Sequence, residues 1–219
     1  MTRLRINLDD GVDPVDVGAA VEMLDQAVYA KVSPLVVKLL GFSQDGSLVG
    51  QFSGFMHGEV IVAAGHMHGF CGKTLGSTSP AVAFKARYPT DGFEEDLEVV
   101  APSPPGNVPD LILLKGSRSA TSLWSTDLEI MASVYALGYT GTENKPSCSK
   151  GSLSSTMPGL VAITAQADDG FSGGPVVDKH GRLLGVVKGA LGTTIMRIGI
   201  TPNYDLHTYL LQAGYPGLI

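Results

Sequence analysis

The sequence predicts an all-β protein whose strands form two sets of about six, arranged as paired barrels or as a sandwich. The chain contains 28 glycines and 13 prolines, and this abundance favours many short segments joined by tight turns. Apolar runs of strand length recur from Pro34 onward, and turn signals such as Gln44-Asp45-Gly46 separate them.

Both halves of the chain contain such runs. In the first half they cover residues 35–42, 47–55, 60–64, 81–88, 96–100 and 111–114. In the second half they cover residues 128–137, 151–155, 160–165, 175–177, 183–187 and 194–200. The polar segment 117–127 is a candidate linker between the halves, and the Ser-rich run 147–156 is interpreted as a loop followed by a strand.

A helix is predicted at each end of this pattern. In residues 13–32, Asp13 can cap the helix, Pro14 fits its first turn, and an apolar stripe recurs at helical spacing. Residues 203–213 are predicted to form a closing helix, with Gly214 just past its end.

Composition and charge exclude several classes of protein. Hydrophobic residues make up 44% of the chain and charged residues 16%, which is unlike a disordered chain. The net charge of −6 argues against a general nucleic-acid binder and against a basic membrane-surface protein. No apolar run is long enough for a membrane span or a signal peptide, so an intracellular protein is expected, and release from a larger precursor is the alternative.

The chain has two cysteines, Cys71 and Cys148, too few for a disulfide framework and too far apart for a Cys-x-x-Cys site. A chain of this length buries enough surface to fold without a metal or a disulfide. Neither a metal nor a cofactor is therefore expected, and Cys71 is interpreted as a small core residue.

Residues 168–177 are the segment most suggestive of chemistry, because Gly170, Gly173 and Gly174 surround Ser172. A nucleophilic serine needs an exposed hydroxyl and nearby backbone N–H groups facing the developing oxyanion. A Gly-rich hairpin turn with an incidental serine is the simpler alternative. The nucleophile elbow of α/β-hydrolases is excluded, since a strand-like Pro-Val-Val follows the serine where that elbow requires a helix.

Two upstream segments supply partners for Ser172. An apolar strand ends in Ala63-Ala64-Gly65-His66, and Asp110 opens the buried run Leu-Ile-Leu-Leu. With the segment from Gly170 to Pro175, these motifs resemble those of the trypsin-like (chymotrypsin-fold) serine proteases in identity, order and spacing. The resemblance implies two six-stranded antiparallel β-barrels, within an N-terminal extension (1–32), a first barrel (33–120) and a second barrel with the closing helix (121–219).

The resemblance also implies a catalytic triad and an oxyanion hole. His66 would take the proton of Ser172, Asp110 would orient the imidazole, and the N–H groups of Gly170 and Ser172 would bind the oxyanion. His68 and His57 remain alternative bases. The alternative carboxylates are Asp91, Asp96 and Asp127.

The sequence departs from the family pattern at several positions. Phe171 replaces the aspartate that pairs with a new N-terminus after zymogen cleavage, so that activation switch should be absent. Met67 replaces the cysteine of the usual disulfide, which fits a reducing compartment. By family geometry the substrate pocket should be apolar and uncharged at its floor, and its residues are Gln166, Ala167, Val187, Lys188, Gly189 and Ala190.

Within the family, the chain looks most like the polyprotein-processing proteases of positive-strand RNA viruses of the sobemovirus and polerovirus type. The segment from Thr164 to Gly173 carries this resemblance. The expected partner is a polypeptide, including the protein's own polyprotein, and Ile219 would then precede a former cleavage site. A bacterial glutamyl-endopeptidase-like or Deg-like housekeeping protease is the second interpretation. A non-catalytic peptide- or RNA-binding relative is the third.

Overall fold

The computed structural model describes residues 17–69, 80–121, 128–157, 160–190 and 197–218. Within these ranges, a helix α1 (Val17–Val32) precedes twelve strands, and a helix α2 (Asn203–Gln212) follows them. The first six strands are β1 (Val36–Phe42), β2 (Leu48–His57), β3 (Val60–Ala63), β4 (Ala83–Arg87), β5 (Glu94–Ala101) and β6 (Ile112–Lys115). The next six are β7 (Ser133–Gly138), β8 (Ser147–Met157), β9 (Leu160–Ile163), β10 (Pro175–Asp178), β11 (Leu183–Ala190) and β12 (Ile198–Pro202).

The strands close into two antiparallel barrels. Strands pair in the order β1-β2-β3-β6-β5-β4 in the first barrel and β10-β11-β12-β9-β8-β7 in the second. This architecture confirms the predicted all-β fold with a helix at either end of the barrels. Closure pairs each of the described strands on both sides, so these short strands expose no sheet edge.

Three apolar clusters account for the packing. One fills the first barrel around Leu39, Ile61 and Phe84, and another fills the second barrel around Ile163 and Val176. The third cluster lies between the barrels and joins both to the two helices. Its members include Val28, Val32, Phe55, Leu113, Tyr135, Leu137, Leu206 and Leu210. The two barrels and both helices therefore share one buried junction.

Some strand bounds differ from those predicted. β8 occupies Ser147–Met157, where the sequence predicted a loop and a shorter strand. Only Leu153 and Ser155 of this strand are buried, so its small polar side chains carry no apolar alternation that would reveal it. Strand β7 begins at Ser133 because a turn closes at residues 129–132, where the Ala132 N–H donates to the Glu129 carbonyl.

Helix α1 packs on the second barrel before the chain enters the first. The Tyr29 hydroxyl donates to the Pro146 carbonyl at 2.8 Å, and Lys150 and the Tyr135 hydroxyl both donate to Asp25. The bonds from Lys150 and Tyr135 lower the pKa of the Asp25 carboxyl, with Lys150 contributing most. Within the described ranges, no helix is both long and apolar enough to cross a membrane.

Candidate active site

The carboxylate of Asp110 binds His66 at two points. Asp110 Oδ1 accepts a hydrogen bond from the His66 backbone N–H at 2.7 Å, and Oδ2 lies 2.8 Å from His66 Nδ1. The Asp110 side chain is 2% exposed and the His66 side chain 32%. A buried carboxylate therefore fixes both the backbone and the ring of a histidine whose other edge is accessible to solvent.

Local structure explains how His66 reaches this position. The buried strand β3 ends in a 3₁₀ turn, Gly65–Met67, and Met67 is fully buried in the first-barrel core. The His66 N–H is near the start of the 3₁₀ turn and has no acceptor within it. It donates to Asp110 instead. On the other side, Leu111 and the first three residues of β6 are buried and set Asp110 at the barrel junction.

The alternative residues lie elsewhere. His68 is exposed and contacts the Phe84 ring at a centroid distance of 6.4 Å, and His57 Nε2 lies 2.7 Å from the Leu218 carbonyl oxygen. Asp91 pairs with Arg118, and Asp96 pairs with Lys85 at the surface. Asp127 and Cys71 lie outside the described residues.

The loop that carries Ser172 is attached to both barrels. The Gly173 N–H donates to the Val187 carbonyl at 2.8 Å in the second barrel, and the Ser53 N–H donates to the Ser172 carbonyl at 3.0 Å from the first. A Cβ added at Gly173 would lie 2.8 Å from the Ala64 nitrogen and 2.2 Å from the Ser53 carbonyl oxygen. Only glycine permits this close approach, which seats the serine loop on the end of β3.

Ser172 itself is half-buried, and the next residue, Gly173, lies against Ala64, two residues before His66. Ser172 and His66, both within the described part of the chain, make no hydrogen bond to each other in this structure. Hydrogen bonds between a nucleophile and its base are often long in a free enzyme and tighten when substrate binds. The structure thus places His66, Asp110 and Ser172 at the junction of the two barrels. Hydrogen bonds join His66 to Asp110.

Gly170 has a backbone conformation that favours glycine. Its φ of +106° disfavours any L-residue, and an added Cβ would lie 2.5 Å from the Tyr139 carbonyl oxygen. Among the described residues, no backbone carbonyl accepts from the N–H of Gly170 or Ser172, whereas the N–H between them, of Phe171, donates to the Asp168 carbonyl. The N–H groups of Gly170 and Ser172 are thus available to a ligand.

Phe171 anchors the same turn. Its side chain is 3% exposed and packs in the second-barrel core, and the Gly174 N–H donates to its carbonyl at 2.8 Å. An apolar contact therefore occupies the position where the family pattern has an ionic one. That formation of the turn needs no new N-terminal amine stays a prediction.

The residues predicted for the substrate pocket differ in accessibility. Gln166, Lys188 and Gly189 are accessible to different degrees, and Ala167 is half-buried against the second-barrel core. Val187 is 1% exposed, so its side chain belongs to that core and its backbone alone faces the serine loop. The Ala190 side chain lies outside what the structure describes. Within the described ranges no cluster of His, Cys, Asp or Glu could hold a metal ion.

Ser53 is a neighbour of the site that the sequence patterns do not single out. It is fully buried in β2, and its hydroxyl donates to the Gly170 carbonyl at 2.7 Å. Its position in the strand run 47–55, which also contains the polar residues Ser47 and Gln51, gives no sign of a contact with residues far along the chain.

Comparison with solved structures shows a shared fold. The crystal structure of the serine endoprotease from Yersinia pestis superposes with a TM-score of 0.70 at 19% sequence identity, covering 89% of this chain and 67% of that one. The inactive form of the Rv3671c protease gives a TM-score of 0.66 at 17% identity, covering 88% of this chain and 95% of that one. No curated protein sequence matches the chain.

The sequence itself places the chain in a family. The pattern of the trypsin-like peptidase domain matches residues 52–186, which is more than half of the chain. The matched span includes β3, the Asp110 region and the serine loop. The chain therefore belongs to the trypsin-like peptidase domain family and is a serine endopeptidase.

Proposed function

We propose that Ser172 is the nucleophile of this peptidase, His66 its general base and Asp110 the group that orients the base. The observation that carries this assignment is the pair of hydrogen bonds that Asp110 accepts from His66, at the junction that also receives the serine loop. A base held by a buried carboxylate beside a Gly-flanked serine has the parts that nucleophilic acyl transfer requires.

The reaction then proceeds in two halves. His66 Nε2 accepts the proton of Ser172 Oγ while Oγ forms a bond to the carbonyl carbon of the substrate. The same proton passes to the leaving amine as the peptide bond breaks, which leaves an acyl-enzyme. A water molecule attacks the ester with its proton accepted by His66, and that proton returns to Ser172 Oγ as the acid product leaves.

The tetrahedral intermediates carry a negative oxygen. The N–H groups of Gly170 and Ser172 are the donors we assign to it, because no backbone carbonyl of the described residues competes for them. A single donor of this kind contributes about 3–4 kcal/mol to the transition state in related enzymes. Asp110 stabilises the imidazolium that coexists with the oxyanion.

The proposed specificity is for uncharged side chains of modest size before the cleaved bond. The residues that support it are Ala167, which packs on an apolar core, and Gly189, at which an added Cβ would meet no atom within 4 Å. No carboxylate is found among the proposed pocket residues, which disfavours substrates with Lys or Arg at this position.

The proposed biological role is the processing of a viral polyprotein in the host cytoplasm, with polypeptide as the only macromolecular partner. The resemblance of the segment from Thr164 to Gly173 to sobemovirus and polerovirus proteases supports it. The burial of Phe171 in the second-barrel core also supports it. A protease that acts while it is still part of a precursor benefits from an oxyanion-binding turn that forms without a separate activation cleavage.

A Deg-like housekeeping protease is the second candidate. The observation that favours it is the fold shared with the serine endoprotease from Yersinia pestis. A non-catalytic peptide- or RNA-binding relative is the third, and the His66–Asp110 contact disfavours it, because a binding module has no need of an oriented base.

A fluorophosphonate probe tests the catalytic assignment. We expect the wild-type protein to be labelled at Ser172 and Ser172→Ala to be unlabelled, inactive and folded, because loss of a triad nucleophile lowers kcat about 10⁶-fold. A folded wild-type protein that resists the probe would instead be a binding module.

A reporter protein tests the biological role. It carries residues 213–219 of the chain between two folded domains and is incubated with the wild type and with Ser172→Ala. Cleavage after the isoleucine that corresponds to Ile219 supports polyprotein processing. An active enzyme that leaves this reporter intact while cutting library peptides contradicts processing at that sequence.

A further inference from the structure

Ser53 connects the first barrel to the loop that carries the nucleophile. It lies in β2 and is fully buried, and its hydroxyl donates to the Gly170 carbonyl oxygen at 2.7 Å. The hydroxyl oxygen of Ser53 in turn accepts a hydrogen bond from the Tyr139 N–H at 2.8 Å. The Ser53 backbone N–H donates to the Ser172 carbonyl at 3.0 Å, so one residue contacts both ends of the turn.

These contacts act on the part of the site that has most conformational freedom. Gly170 has a φ of +106° and no side chain, so its own chemistry does not restrict the rotation of its two flanking peptides. Rotation of either peptide would turn the assigned oxyanion donors away from the substrate. A hydrogen bond to the Gly170 carbonyl opposes that rotation, because it holds the peptide between Gly170 and Phe171, which lies between the two peptides that carry the assigned N–H groups.

A hydroxyl is suited to this position. It can donate one hydrogen bond and accept others, so it satisfies the Gly170 carbonyl and the Tyr139 N–H together. Alanine would leave both buried groups without that partner, and a valine side chain would add bulk with no donor. Gly138 also approaches here, since a Cβ added to it would lie 3.0 Å from Ser53 Oγ.

We propose that Ser53 is a positioning residue that holds the Gly170 turn in its oxyanion-binding conformation from the opposite barrel. The inference rests on the proposed function of Ser172, Gly170 and His66. Ser53 does not contact the reacting atoms, and it acts through the peptide of Gly170. A purely structural link between the barrels predicts a loss of stability with no change in the chemistry of the folded enzyme.

Phosphonylation of Ser172 by a fluorophosphonate separates these two roles. Its rate saturates with probe concentration, which gives a binding constant and a maximal rate for a step whose transition state places an oxygen in the oxyanion hole. For Ser53→Ala we expect the maximal rate and kcat for a fluorogenic peptide to fall together by about 10- to 100-fold. The binding constant and KM should change by less than about threefold.

Ser43 provides a matched control. It is also a buried serine, and its hydroxyl bonds only within the β1–β2 turn, to Asp45 and to the Ser47 carbonyl. Ser43→Ala should lower the melting temperature and leave the phosphonylation rate unchanged. Ser53→Thr retains the hydroxyl and should recover the rate to within about threefold of the wild type if the bond to Gly170 is what matters.

Two outcomes would overturn the inference. One is a folded Ser53→Ala that retains the wild-type maximal rate, and the other is a Ser53→Ala whose loss appears in the binding constant alone. If Ser53→Ala does not fold, Ser53→Cys preserves the shape with a weaker donor, and an unchanged rate in that variant counts against the proposal. Failure of the wild type to react would instead refute the proposed function, which keeps the two tests distinct.

Discussion

Replacing Asp110 by asparagine changes one atom of the carboxylate and should reverse the tautomer of His66. One oxygen of Asp110 accepts from the His66 backbone N–H, which can only donate. An asparagine must therefore present its amide oxygen to that N–H and its NH₂ group to His66 Nδ1. Nδ1 then becomes the acceptor and the ring proton moves to Nε2, where it blocks acceptance of the Ser172 proton.

The size of the effect follows from this geometry. The side chain remains isosteric and retains its bond to the backbone, so the fold should be preserved. The wrong tautomer and the lost charge together lower kcat by about 10⁴-fold in enzymes with this arrangement. At 1.36 kcal/mol for each factor of ten, this equals about 5.5 kcal/mol of transition-state stabilisation.

The assay is the hydrolysis of a fluorogenic peptide selected from a library, with circular dichroism to confirm that the variant is folded. Asp178→Asn is the matched control, since Asp178 is also buried and accepts hydrogen bonds from the N–H groups of His180 and Arg182 in the β10–β11 turn. It should lose stability and retain kcat. A folded Asp110→Asn variant with more than a tenth of the wild-type kcat would refute the reasoning.

Three further predictions follow from other parts of the molecule. Burial lowers the pKa of His57 below its usual 6.5, although a bond to the Leu218 carbonyl opposes the shift. As the pH falls, His57 therefore binds a proton at a higher pH in the unfolded chain than in the folded protein. The free energy of unfolding should therefore decrease as the pH falls below 6.5, and denaturant titrations should show a shallower decrease for His57→Gln. An equal slope in the variant would contradict this. In calorimetry, Gly173→Ala should lower the melting temperature more than Gly46→Ala. Both have φ above +80°, worth about 1–3 kcal/mol of strain, but only an added Cβ at Gly173 meets backbone atoms. Peptide profiling should show faster cleavage after Ile, Leu or Val than after Lys, Arg, Asp or Glu, by about 1–3 kcal/mol, and a preference for a charged residue would refute the apolar pocket.

Strand prediction succeeded where one face of a strand is apolar. β3 and β6 are short runs of buried aliphatic residues, and the sequence predicts both within a residue or two. β8 is longer than predicted because its alternate positions carry serine, glycine and lysine, which give no periodic signal. Pairing with β7 and β9, its neighbours along the chain, makes it a strand, and the pattern of its own side chains does not indicate that pairing.

The residues proposed for the substrate pocket show a different limit of prediction from sequence. Family geometry predicted that the side chain of Val187 contributes an aliphatic wall, whereas the structure buries it in the second-barrel core. The register of β11 shifts between Val187 and Gly189, where it pairs with β12. A single irregularity of this kind changes which side chains face the substrate, and a sequence pattern does not reveal it.

The sequence alone determined the class of fold, the family and three candidate residues, because turn residues, apolar periodicity and short motifs are all local properties of the chain. Only the tertiary structure decided which histidine meets Asp110, since His66 and His68 differ by two positions and the choice depends on a 3₁₀ turn at the end of β3. It also decided the role available to Ser53, whose hydroxyl meets Gly170 across the junction of the two barrels. Contacts between groups more than a hundred residues apart, such as Ser53 and Gly170, arise from the closure and packing of the barrels. The local sequence around each residue does not predict them.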